Sequence, residues 1–258
     1  MFPILEKSLL REDFLLLKIR APHLLSAKPG QLVILQPHEL SERIPVCILD
    51  LWEEGFWCLL QVVGRTTLQI KEEVESFYYV GGPIGKPFPI KNYGKVVFYT
   101  TGWGVAPAFN VGRALKKEGC SLQLFYTGPG EPPMYHKLRE VFEVIETQET
   151  PPPVDADLWV SAGSNELSRY LVSLGKGVPH IALVNTYMLD AVGLCLVCRV
   201  TVKGSTQLAC VDGPWFPAEE VDWENLLERE TLYRQEEELA LEEYLKELRR
   251  RKNKPAEV

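Results

Sequence analysis

Most of what this chain can fold into is decided between residues 94 and 119, in the stretch GKVVFYTTGWGVAPAFNVGRALKKEG. A continuous apolar run leads into a glycine turn at Gly102 and Gly104, and then into helical spacing through Val111, Ala114 and Leu115. That grammar predicts a strand, a tight turn and a helix, the opening unit of a parallel sheet. SLQLFYTG, DLWVSAG and HIALVNT follow as strands, with PPMYHKLREVFE and NELSRYLVSLG between them as helices. Strands alternating with helices place helices on both faces of one sheet.

The residues before this unit obey a different rule. From the N-terminus to about residue 92, short β-rich runs (DFLLLKIRAP, GQLVILQP, RIPVCILDLW, GFWCLLQVVG, ESFYYVGGP) are separated by Pro, Gly or acidic residues, the pattern of a small antiparallel barrel. After the parallel-sheet pattern ends, residues 187–221 carry a cysteine segment with a hairpin, RVTV-KGS-TQLACV. From Asp222 onward, DWENLLERETLYRQEEELALEEYLKELRRR has no Gly or Pro and predicts one long helix packed along the body or a partner subunit. The expected division is 1–92, 93–186, 187–221 and 222–258, the last being helix and tail. The basic run RRRKNK at 249–254 reads as a solvated end.

Charge and length narrow the function classes. The 258 residues carry a formal charge of -7, which argues against a nucleic-acid partner, because phosphate neutralisation needs a basic face. No apolar run reaches the roughly 20 residues of a membrane helix, and the first residues are charged too early for a secretory signal, so no membrane insertion and a cytoplasmic location are expected. Six cysteines in such a chain read as metal ligands or buried thiols rather than a disulfide framework.

Three of them, Cys195, Cys198 and Cys210, have the spacing of metal ligands. Cys195-x2-Cys198 puts two thiols on one tight loop, and the hairpin can return Cys210 to the same point, which suits zinc or an iron–sulfur centre. No histidine is near, and Asp190, five positions before Cys195, is the best fourth ligand; alternatively it is a turn or cap residue. Arg43 stands just before the apolar strand Ile44, Pro45, Val46, and Gly64, Thr66 and Thr67 are expected at a turn. An arginine fork and glycine or threonine donors are suited to a pyrophosphate. The turn Gly102, Gly104, Val105, Ala106 and Pro107 offers backbone amides and a positive helix end for a dinucleotide phosphate.

In this order, these motifs resemble the ferredoxin reductase-like flavoprotein subunits that carry FAD and a 2Fe–2S cluster, over about residues 3 to 240. Of two related branches, the electron-transfer subunit of class B dihydroorotate dehydrogenase has cysteine where Asp190 stands. The small subunit of NADH-dependent ferredoxin:NADP oxidoreductase, or sulfide dehydrogenase, has aspartate, and its motifs are matched by Arg43 to Cys47 with Val46 and Cys47 changed, by Val63 to Thr67, by Gly82 to Pro87, and in the cluster loop by Met188, Asp190, Gly193, Cys195, Cys198, Arg199 and Ala209 to Pro214. The resemblance implies an oxidoreductase subunit with FAD held by Arg43, Ile44, Pro45, Val46, Gly64, Thr66, Thr67 and Gly82. It also implies a cluster held by Asp190, Cys195, Cys198 and Cys210. The implied partner is a larger flavoprotein with FAD and 4Fe–4S clusters, with ferredoxin reached through the complex by electron bifurcation.

The chain departs from the family's pattern at Ala191 and Leu196, which stand where glycine is usual, and at Thr100 and Thr101, which replace leading glycines. TGPGEPP at 127–133 and Gly163 to Leu167 also lack the usual nicotinamide motifs. Two expectations for NAD(H) follow: an altered pocket that still binds it, or a subunit that only relays electrons. A dihydroorotate-type electron-transfer subunit and a zinc-stapled, non-redox assembly subunit are the alternatives.

Overall fold

A computed structural model describes residues 1–252. The N-terminal third holds strands β1 (Phe2–Arg11), β2 (Phe14–Arg20), β3 (Leu32–Gln36), β4 (Ile44–Cys47), β5 (Asp50–Trp52), β6 (Gly55–Gln61), β7 (Ser76–Phe77) and β8 (Tyr79–Ile84), with helix α1 (Arg65–Glu72). They form two antiparallel sheets, β5-β6-β2-β1-β7 and β4-β3-β8. Period-two alternation organises them. Leu15, Leu17 and Ile19 of β2 and Phe56, Cys58 and Leu60 of β6 fill the barrel core, while Phe14 and Leu59 turn to a second core shared with the rest of the chain.

That second core continues under β9 (Lys95–Thr101), α2 (Val105–Lys117), β10 (Ser121–Thr127), α3 (Tyr135–Leu138), β11 (Val144–Thr147), β12 (Leu158–Ala162), α4 (Asn165–Ser173) and β13 (His180–Leu183). The sheet order is β11-β10-β9-β12-β13-β16, parallel except for the edge strand β16 (Trp215–Pro217). Both faces are covered, as a parallel sheet requires. Val96 and Phe98 pack on the face toward the barrel, and Val97 and Tyr99 pack with Trp159, Leu167 and Leu171 on the other. The hairpin β14 (Arg199–Val202) and β15 (Ser205–Leu208) precedes β16, and helices α5 (Trp223–Glu230) and α6 (Arg234–Lys252) end the described chain. The barrel plus α/β architecture is the expected ferredoxin reductase-like one. Among the described residues, no helix is long and apolar enough to cross a membrane.

Several local expectations are corrected. Thr66 and Thr67 lie in a helix, α1, not a turn. The Thr67 hydroxyl accepts from the amides of Val63 and Gly64 at 3.0 Å each, which builds a helix entry that the β-branched sequence did not advertise. The helix expected over 132–143 shrinks to α3, because Val141 and Phe142 are drawn into the core and the chain turns into β11. The single C-terminal helix is broken at 231–233, without Gly or Pro. The Thr231 hydroxyl donates to the Glu228 carbonyl at 2.8 Å, and the Tyr233 ring packs edge-on against Tyr187 at 5.8 Å, so tertiary contact overrides helix propensity. The basic run is not wholly a solvated tail: Arg251 pairs at 2.9 Å with Glu73, which caps the end of α1, and the remainder of it beyond residue 252 lies outside the described residues.

Candidate functional site

A cavity of about 770 Å³ opens between the barrel, the parallel sheet and the C-terminal helices, within the size range of cofactor pockets. Arg43, Ile44, Pro45 and Val46 supply one wall and Thr67 another. Trp103 and Ala106 close it from the glycine turn, and residues 183–189 from the end of β13. Glu230, Tyr233, Arg234 and Glu237 lie over it from the α5–α6 corner. A smaller pocket of about 340 Å³ adjoins it, lined by Gly64 and Thr66. Gly82, Gly102, Gly104, Val105 and Pro107 line neither of these two pockets.

Arg43 is fixed by its neighbours. Its Nε donates to the buried Gln36 Oε1 at 3.2 Å, and its guanidinium stacks over Tyr79 at 5.0 Å. Its Nη1 donates to the Leu189 carbonyl at 3.2 Å, joining the barrel to the cysteine loop; Nη2 makes no hydrogen bond among the described residues. Thr66 donates to Glu42 at 2.7 Å. The first-turn amides of α1 have no acceptor within their own helix, so with Arg43 they form a donor set suited to a pyrophosphate.

The glycine turn is closely packed. Trp103 donates its amide to Gln61 Oε1 at 3.1 Å, and a β-carbon on Gly104 would sit 2.1 Å from the Ala162 carbonyl oxygen. Glycine here lets the helix entry lie directly on β12. Of the five residues proposed for a dinucleotide phosphate, only Ala106 faces the main cavity.

At the cysteine segment, Cys198 and Cys210 are buried with their sulfurs 3.2 Å apart, while Cys195 is exposed on the loop. Burial and the neighbouring Cys198 push the Cys210 thiol up to about 12. The Asp190 carboxylate accepts from the amides of Val192 (3.0 Å), Leu194 (2.9 Å) and Cys195, and these bonds hold it below the usual carboxylate range. Asp190 also lies within electrostatic reach of Cys210. Two thiols therefore meet and the carboxylate grips the third cysteine's backbone. Among the described residues, no three His, Cys, Asp or Glu side chains gather at a single ion position. Adjacent Cys198 and Cys210 thiols, with Cys195 and the Asp190 carboxylate on the preceding loop, are a donor set whose chemistry fits an iron–sulfur cluster. Ala191 (φ +61°) and Leu196 (φ +56°) both adopt the left-handed conformation, so the loop keeps the turn geometry that glycine favours.

Sequence reasoning missed Gln61, Tyr187, Arg229, Glu230 and Tyr233. Glu230 Oε1 accepts from Asn165 Nδ2 at 2.8 Å and Asn185 Nδ2 at 3.1 Å on the cavity wall. Burial, with Glu166 nearby, pushes its carboxyl up to about 7. None of these residues carries a local motif; the "VDW" before α5 was the only signal that this region docks on the body.

A Thermotoga maritima protein described as a dihydroorotate dehydrogenase B (NAD(+)) electron transfer subunit homolog is 33% identical over 94% of this chain and 95% of its own length. The chain belongs to this electron-transfer subunit family. Residues 185–222 of this family member match the iron–sulfur cluster binding domain of dihydroorotate dehydrogenase B. A chain from the NADH-dependent reduced ferredoxin-NADP oxidoreductase, solved in a study of flavin-based electron bifurcation, superposes with a TM-score of 0.86 at 31% identity, covering 95% of this chain and 98% of its own. A ferredoxin reductase of carbazole 1,9a-dioxygenase shares the fold (TM-score 0.57, 21% identity, 69% of this chain and 65% of its own). The family member is thus an electron-transfer oxidoreductase subunit with an iron–sulfur-binding segment.

Proposed function

We propose that this subunit moves electrons between a nicotinamide nucleotide, FAD and a 2Fe–2S cluster, to or from a larger partner subunit. The observation that carries the proposal is continuity: residues 187–189 line the cavity and lead without a break into Asp190 and the cysteine loop, and Arg43 touches both. FAD, when bound, converts between paired and single electrons, and the cluster carries one at a time.

The chain's own residues have separable tasks. Arg43 and the first turn of α1 would hold the pyrophosphate, with Gly64, Thr66 and Thr67 shaping that turn. Ile44, Pro45, Val46 and Trp103 supply apolar walls that exclude water. Asp190, Cys195, Cys198 and Cys210 would hold the cluster. Glu230 and Asn185, backed by the buried Asn165, form the polar end of the cavity, where NAD(H) would be oriented. The likeness to the ferredoxin-NADP oxidoreductase chain, together with aspartate at 190, favours a partner with FAD and 4Fe–4S clusters in an electron-bifurcating NAD(H), NADP(H) and ferredoxin complex in the cytoplasm. The dihydroorotate-type subunit is the second reading, favoured by the name of the Thermotoga relative.

Anaerobic purification followed by visible spectroscopy and flavin, iron, sulfide and zinc analysis tests the core of the proposal. One flavin and two irons per chain are expected; a colourless protein with one zinc would return the non-redox assembly subunit. Asp190→Cys and Asp190→Ala are expected to change the visible and paramagnetic resonance spectra, and an unchanged Asp190→Cys spectrum would remove Asp190 from the ligand set.

A further inference from the structure

The end of α5 touches both halves of the site through consecutive residues. Glu230 lines the cavity, and Arg229 turns the other way, onto the cysteine loop. Its Nη2 donates to the Val197 carbonyl at 2.6 Å and its Nη1 to the Arg199 carbonyl, so one planar fork grips the backbone on both sides of Cys198. A second guanidinium, that of Arg199, donates to the Leu196 carbonyl at 3.2 Å. Helix α5 is a firm base for this grip: Asp222 caps it by accepting from the Asn225 amide at 3.1 Å, and Trp223 and Leu226 are buried in the shared core. The Cys198 thiol and the Arg199 guanidinium both lie within electrostatic reach of Arg229.

We infer that Arg229 is a positioning residue for the iron–sulfur loop, clamping the backbone that carries Cys198 and setting a positive charge against the cluster. The inference rests on the cluster assignment above. One-electron reduction of a cluster adds one negative charge, and a nearby cation in a partly desolvated place stabilises that added charge. Arg229 therefore raises the midpoint potential, opposed by Asp190 and Asp212 and assisted by Arg199 and Arg43. Because the two carbonyls are held by one rigid fork, lysine keeps the charge but loses the two-point grip.

The test is a potentiometric titration followed by paramagnetic resonance on the full-length holoprotein. Arg229→Gln is expected to lower the cluster midpoint and alter the line shape of the reduced signal. Arg229→Lys should give a smaller drop with an altered line shape. Arg169→Gln removes an equal charge from an exposed pair with Glu224 on α5 and should leave both readouts as in the parent. A parent-like midpoint in Arg229→Gln, or an equal drop in Arg169→Gln, overturns the inference. If Arg229→Gln assembles no cluster, Arg229→Lys decides: a parent-like line shape overturns the clamp and an altered one supports it. A parent protein with no 2Fe–2S signal breaks the cluster assignment and the inference with it, an outcome distinct from a parent signal that Arg229 does not move.

Discussion

Two loops of this chain bend through the left-handed region of the backbone, and only one of them keeps glycine throughout. The turn after β9 has Gly102 at φ +47° and Gly104 pressed against β12; the cysteine loop has Ala191 at +61°, Gly193 at +83° and Leu196 at +56°. In the first loop the missing β-carbon makes room. A methyl on Gly104 would collide with the Ala162 carbonyl, and one on Gly102 would lie 2.3 Å from Gln61 Oε1. At Ala191 and Leu196 of the second loop only the dihedral angle is demanding, and Leu196 projects into solvent, about half exposed at 52%. A dihedral penalty of about 1–2 kcal/mol per residue can be carried by a loop that is otherwise well bonded; a collision with backbone cannot.

The comparison breaks or sharpens by substitution. The largest effect is expected from Gly104→Ala, a loss of ~3 kcal/mol or more, because neither β12 nor the helix entry can retreat. Urea unfolding within about 0.5 kcal/mol of the parent would mean that the close approach is not needed. Gly102→Ala should cost about 1–2 kcal/mol, less than Gly104→Ala since the Gln61 side chain can swing aside, though its bond to the Trp103 amide is lost. Leu196→Gly is expected to act in the opposite direction, stabilising the cluster-free chain by about 1 kcal/mol; a lower urea midpoint would show that Leu196 has a packing role.

The smallest effect concerns Glu230, which lies between the two loops on the cavity wall. Its carboxyl is pushed up from 4.5 to about 7 in the folded chain, so the folded state binds more protons than the unfolded one between those values. Stability tied to it is full below about pH 4.5 and is lost as pH rises through about 7, by no more than about 1 kcal/mol after solvent screening. Glu230→Gln should flatten the pH dependence of the urea midpoint over that window, and an unaltered slope would assign it to other groups.

The fold was legible where one residue pattern decides one element. Period-two runs marked the barrel strands, and the switch at Gly94 marked the parallel sheet. The hairpin was expected to return Cys210 to the loop of Cys195 and Cys198, and it brings Cys210 against Cys198 while Cys195 lies exposed. What was not legible depends on contacts across the chain. Arg229 and Glu230 sit in a polar helix with no motif, and their contacts exist only because α5 packs on α4 and β14. Likewise the Tyr233 ring beside the break at 231–233 packs on Tyr187, more than forty positions away, and Gly102 and Gly104 lie against Gln61 and Ala162, contacts that no local motif announces. A glycine in a string does not say whether it serves a ligand or a neighbour.

Strand β16 gives the cysteine segment a second duty. By pairing antiparallel with β13 through Ile181, Ala182 and Leu183, it covers what would otherwise be the open margin of the six-stranded sheet, and it ends in Pro217, which has no amide to offer a further strand. The segment that carries the three clustered cysteines is thus also a guard against self-association. A chain that failed to seat this segment would present the apolar strand β13 unpaired to its copies, so one short stretch of backbone decides whether the sheet ends or recruits a neighbour.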